Sequence, residues 1–156
     1  MAKTPVLFTI GYEGVTAEAL VATLKAAGVE VLIDVRAVPL SRKAGLSKNK
    51  LAAKLAEKEI KYVGLKALGT PSEGRDAARK GKTAEMRRIF EAHLETQAAK
   101  DELEEAIKIS GANPSCLLCF EHEPNCCHRL IVAQRIVEQT GQEIEHLNPE
   151  MGHFLL

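Results

Sequence analysis

Val6-Leu7-Phe8-Thr9-Ile10 is a short apolar run of β-prone residues, closed by Gly11, as expected for a buried strand. Thr16 follows as a helix N-cap, and Ala19, Leu20, Ala22, Leu24 and Ala27 continue as helix formers until Gly28 stops them. Val29-Glu30-Val31-Leu32-Ile33-Asp34-Val35 is a second strand-like run. Strand, helix and strand within about thirty residues form the βαβ unit of a parallel sheet.

The rest of the chain extends this unit. Ser47 is placed to cap a helix through Lys58, with Leu51 and Leu55 one turn apart, and Ile60 to Val63 reads as a third strand. Leu65 to Lys82 scatters Gly69, Pro71, Gly74 and Gly81 among charges and reads as a long loop. Helices are expected from Thr83 to Leu94, with His93 on the apolar face, and from Thr96 to Ile109, with a stop at Gly111. Ser115 to Phe120 reads as a fourth strand. A helix opening at Cys127 or His128 runs through Gln139, and Glu143 to Leu147 forms a weak fifth strand at an edge. The expectation is a single three-layer α/β domain over residues 1–156, with a mostly parallel, five-stranded sheet and helices on both faces.

Composition fits that reading. With 156 residues, 46% hydrophobic and 27% charged, the chain can build a core without staples and is not a disordered one. No apolar run is long enough to span a membrane, and the N-terminus lacks a signal-peptide pattern, so a cytoplasmic protein is expected. Aromatic residues are 4% and Trp is absent, which excludes an aromatic RNA-recognition sheet. The net charge of zero hides a strong asymmetry. Residues 1–35 carry two Lys/Arg against four Asp/Glu (−2), residues 36–88 fifteen against five (+10), and residues 89–156 four against twelve (−8). The basic middle either meets an anionic partner such as phosphate, nucleotide or nucleic acid, or packs against the acidic C-terminal part. Lys50, Lys54 and Lys58 recur at helical spacing, a solvated face or a phosphate-backbone contact.

In open parallel sheets, ligands bind beyond the carboxyl ends of the strands. Three strands here run into polar residues. The first meets Tyr12 and Glu13, and the second Asp34 and Arg36 with Ser41 beyond. The fourth meets Glu121, followed by Cys127-His128-Arg129. Asp34 lies in an apolar run and needs a partner if buried. Arg36 is the nearest in sequence, although strand spacing would put the two side by side on one face. Arg129 at a helix N-terminus suits an anion, and the same field would lower the pKa of Cys127. Glu121, Glu13 and His128 are the acid–base candidates, and Cys127 the candidate nucleophile. Tyr12, Asp34, Arg36, Ser41 and Arg129 are the candidate ligand-binding residues.

The four cysteines first raise the question of zinc. Cys116 and Cys119, three apart on a strand, point to opposite faces and do not share an ion. They read as small core residues, and a disulfide is disfavoured in the cytoplasm. No metal is expected. No cofactor is implied either, because Gly11-x-x-Gly14 lacks the dinucleotide spacing and there is no P-loop or Gly-x-Ser-x-Gly elbow.

Taken together, several stretches resemble the bacterial domain-of-unknown-function family 488. They are Thr9-Ile10-Gly11-Tyr12-Glu13, Asp34-Val35-Arg36 with Pro39 and Ser41, Tyr62, Leu68-Gly69, Cys116 to Glu121, and Pro124-x-x-Cys127-His128-Arg129. The resemblance implies an α/β fold and a shared site, without an assigned reaction. Many members carry His and Ser where this chain has Tyr12 and Glu13. Three functions are expected from the residues. The first is an enzyme acting on a phosphate-bearing substrate (nucleotide or nucleic acid) by hydrolysis or group transfer. The others are a non-catalytic module binding nucleic acid or a phospholigand, and a cytosolic thiol redox protein using Cys127.

Overall fold

The computed structural model describes residues 4–121 and 128–149. Five strands, β1 (Leu7–Gly11), β2 (Val31–Asp34), β3 (Lys61–Gly64), β4 (Ser115–Cys119) and β5 (Ile144–His146), form one sheet. Their order is β3-β2-β4-β1-β5, and every pairing is parallel. β5 lies at an edge, as its sparse apolar content suggested. The expected single α/β domain with helices on both faces is the fold observed.

Side-chain alternation along the strands divides the core in two. Phe8, Ile10, Leu32, Cys116 and Leu118 pack under α1 (Ala17–Ala26) and α2 (Lys48–Ala56), meeting Leu20, Leu24, Leu51 and Leu55. Leu7, Val31, Ile33 and Leu117 face the other way. They meet α3 (Ser72–Arg79), α4 (Thr83–His93), α5 (Gln97–Ala112) and α6 (His128–Thr140) through Ala77, Phe90, Ala106 and Ile136.

Two helix boundaries differ from the sequence reading. The stretch expected as a loop from Leu65 to Lys82 contains a short 3-10 turn (Lys66–Leu68) and helix α3. Two of its glycines, Gly69 and Gly74, serve packing rather than flexibility. A Cβ on Gly69 would lie 2.2 Å from the backbone nitrogen of Ala37, and one on Gly74 2.4 Å from Thr70 Cγ2. Pro71 sits just ahead of the first turn, where its missing N–H costs nothing. Gly111 does not stop α5, which continues to Ala112 and ends at Asn113, whose backbone N–H donates to Ile109 O.

After α2 the chain reverses with Glu59 at φ 61°, while Ile60 N–H donates to Leu55 O. This is a helix-ending turn that suits glycine, because a Cβ crowds the left-handed region. Glu59→Gly should therefore raise stability by about 1 kcal/mol, measured as a higher urea midpoint with an unchanged slope.

Candidate functional site

The carboxyl ends of β1, β2 and β4 open into a cavity of about 460 Å³. Tyr12 enters it from beyond β1, and Arg36, Ala37 and Val38 from beyond β2. Cys119, Phe120 and Glu121 come from the end of β4, and His128 from the first turn of α6. The far wall is α3 and α4, which contribute Arg75, Ala78, Arg79 and Met86, with Thr70 from the turn ahead of α3. Of the residues expected from sequence, Tyr12, Arg36, Glu121 and His128 thus line one cavity. Arg75 and Arg79 were missed, because their segment read as a loop. Their spacing of four, flanking Asp76-Ala77-Ala78, is the helical signal that the glycines obscured.

Beneath the cavity lies a buried ion pair. Asp34 is 1% exposed and Arg36 5%. Strand β2 ends at Asp34, so the chain is free to turn and bring the guanidinium back onto the carboxylate. Arg36 Nε donates to Oδ1 at 2.9 Å and Nη2 to Oδ2 at 2.7 Å, a two-pronged pairing. The expected side-by-side placement is corrected by this turn. Arg36 Nη1 donates to Leu46 O at 2.7 Å, and Tyr62 Oη donates to Asp34 Oδ2 at 2.5 Å. The guanidinium carbon also lies 5.3 Å from the Tyr12 ring centre. Burial pulls the Arg36 pKa down, but the bonds and charge of Asp34 outweigh it and raise it overall. Burial, followed by the bond to Asp34, raises the pKa of Tyr62.

Arg129 is 0% exposed and does not line the cavity. Its Nη1 donates to Glu121 O and lies 3.1 Å from Cys119 Sγ. Gly11 is required beside this contact, since an added Cβ would fall 1.8 Å from Glu121 O. The backbone of Glu121 is thus pinned from two sides while its side chain reaches the cavity. Burial raises the pKa of Glu121, against the opposing charge of Arg129, and the nearby charge of Glu13 raises it further. Glu13 is itself exposed, and its N–H donates to Phe120 O at 2.9 Å.

His128 departs from the expectation of near-neutral titration. Its Nε2 lies 2.8 Å from Val35 O, so Nε2 carries the proton and donates. Burial lowers its pKa to about 4, despite the favourable bond to Val35, so the ring is neutral at pH 7.

Ser41 lies apart from the cavity, in the loop before α2, where its backbone bonds Ser47 Oγ. Cys116 is buried in the core among residues facing α1 and α2, and burial raises its pKa. Cys119 lies at the other face, which keeps the two sulfurs from sharing an ion. Cys119 is disulfide-bonded, which corrects the expectation of a reduced core residue. Cys127 also lies outside the described residues, as does the stretch 122–126. Among the described residues no helix is long and apolar enough to cross a membrane.

A family model described as "Domain of unknown function DUF488" matches residues 16–136, well over half of the chain. The protein belongs to this family. No curated protein and no solved structure matches it. The DUF488 match spans Asp34, Arg36, Arg75 and Glu121, and begins after Tyr12 and Glu13.

Two consequences for stability follow from this geometry. Removing the Asp34 carboxylate leaves the Arg36 charge buried without its partner, so Asp34→Ala should cost about 3–5 kcal/mol, read from denaturant unfolding. For His128 the folded pKa is depressed from 6.5 to about 4. Its contribution is therefore intact above pH 6.5 and is lost as pH falls toward 4, where only the unfolded chain takes up the proton. Between pH 7 and pH 5 that loss should be about 2 kcal/mol. His128→Gln, which retains an N–H donor, should remove this part of the pH dependence when its urea midpoints are compared with those of the parent.

Proposed function

We propose that this DUF488 protein is an enzyme acting on a phosphate-bearing substrate of the nucleotide or nucleic-acid class, by hydrolysis or group transfer. The observation carrying this reading is a cavity uniting three arginines, Arg36, Arg75 and Arg79, with the Glu121 carboxyl group. About 460 Å³ is within the range of small-molecule sites. Its walls also contain apolar surface from Val38, Met86 and Phe120, suited to a base or sugar beside the phosphate.

In this reading the anion-holding role expected of Arg129 passes to Arg75 and Arg79. Arg129 instead positions Glu121 through its carbonyl. Arg36 offers the cavity only what Asp34 and Leu46 leave of its fork. Glu121, whose pKa is raised by burial, holds its proton to higher pH than an ordinary carboxyl and would protonate the leaving oxygen. Glu13, exposed and tied through its N–H to Phe120 O, would take a proton from the attacking group. The neutral His128 would serve as a fixed hydrogen-bonded wall rather than as a proton carrier.

The buried, neutral state of His128 also favours a second reading, a module that binds the same ligand without turnover. Activity separates the two. With nucleotide and oligonucleotide panels, Glu121→Gln should lower kcat at least about a hundredfold while leaving binding intact. Arg75→Ala should raise KM about tenfold, the loss of about 1.4 kcal/mol of binding. Because Glu121 acts protonated, kcat should fall as pH rises through its raised pKa. Turnover indifferent to both substitutions would remove the enzymatic reading. Binding without turnover, sensitive to Arg75→Ala, would establish the module.

A further inference from the structure

A second depression, of about 450 Å³, adjoins the first where the chain passes from Val38 to Pro39. It is formed by the loop from Pro39 to Gly45 together with the start of α2, and it holds Arg42, Lys43, Lys48 and Lys50 with no acidic residue. All four cations are exposed, and none has an ion pair within 4 Å among the described residues. More broadly, no described ion pair joins the basic stretch 36–88 to the acidic stretch 89–156. Among the described residues, the acidic C-terminal part thus does not pair with this charge.

The loop folds back onto the start of α2, where Lys48 N–H donates to Pro39 O at 3.0 Å. Ser47, the N-cap, makes no side-chain bond to the helix amides; its Oγ accepts from Ser41 N–H at 2.9 Å and donates to Ser41 O at 3.1 Å. The first turn carries no acidic residue. Val38, 50% exposed, and Phe120, 45% exposed, line the first depression, and Leu40, 68% exposed and two residues on from Val38, lines the second. Cationic pocket, apolar bridge and cationic loop alternate along one path. That alternation matches a chain in which anionic groups alternate with flat apolar ones.

We infer that the substrate is a single-stranded polynucleotide, with one nucleotide in the Arg75–Glu121 cavity and the neighbouring phosphates on Arg42, Lys43, Lys48 and Lys50. This rests on the reading of the first cavity as a phosphate-bearing substrate site. A single strand fits better than a duplex, because exposed Val38, Leu40 and Phe120 can meet only bases that are not already paired and stacked.

Fluorescence anisotropy with a labelled twelve-nucleotide single strand, the same strand as a duplex, a mononucleotide and poly-glutamate tests the inference. The variant is Lys43→Glu with Lys48→Glu and Lys50→Glu, all exposed positions outside the first cavity. The single strand should bind at least tenfold tighter than the mononucleotide, the duplex and poly-glutamate. The triple variant should lose that advantage and lower the salt-dependence slope by about 2, for three phosphate contacts at about 0.7 each, leaving mononucleotide binding unchanged. Equal binding of strand and mononucleotide, a triple variant with parent affinity and slope, or equal binding of duplex or poly-glutamate would each overturn it. Arg75→Ala distinguishes the two failures. If mononucleotide binding depends on Arg75 but strand binding ignores the triple variant, the cavity reading stands and the strand inference falls. If mononucleotide binding ignores Arg75, the cavity reading itself falls.

Discussion

The pairing of Asp34 with Arg36 constrains everything around the cavity. A carboxylate at the end of a central strand, 1% exposed, is tolerated only because a guanidinium, a phenol and a backbone N–H satisfy it. The guanidinium and the N–H are both Arg36's, and the phenol is Tyr62's. Arg36 belongs to the turn after β2 and Tyr62 to β3, and Leu46 O ties in the loop before α2. One buried charge pair therefore fixes the directions in which three segments leave the sheet. The cavity floor and the basic loop take their positions from it.

The opposite side of the cavity is fixed by close backbone approach rather than by charge. Gly11 lets β1 run against the carbonyl of Glu121, which Arg129 holds from beneath. Gly69 does the same for the turn before α3, pressed against the backbone of Ala37. At both places the absent side chain is the structural feature. These contacts hold the backbone on either side of the cavity that Glu121 and Arg75 both line.

The sheet was legible because its strands are dense apolar runs bounded by turn residues, and such runs are buried whatever surrounds them. The convergence of Tyr12, Arg36, Glu121 and His128 followed from parallel strands sharing one edge. Helix α3 was not legible, because Gly69, Pro71 and Gly74 carry the same letters whether they mark a loop or permit close packing. Only the neighbours Ala37, Thr70 and Ile89 distinguish the two, and two of these belong to other elements. Arg129 illustrates the same limit. Its position after His128 suggested an exposed anion binder, yet it is buried and bonds a main-chain oxygen, a contact with no signature in sequence. The neutral state of His128 likewise depends on burial by Phe90 and on Val35 O, both remote along the chain.

Helix α3 also separates recognition from architecture. Its arginines face the cavity, while its attachments to the rest of the molecule run through Ala77, Gly74 and the Gly69 turn. Exchanges at positions 75 and 79 leave the Asp34–Arg36 pair, the strand register and the Glu121 carbonyl untouched. The wall is thus a replaceable part on a fixed frame of forces: its surface chemistry can change by point substitution at little cost to folding.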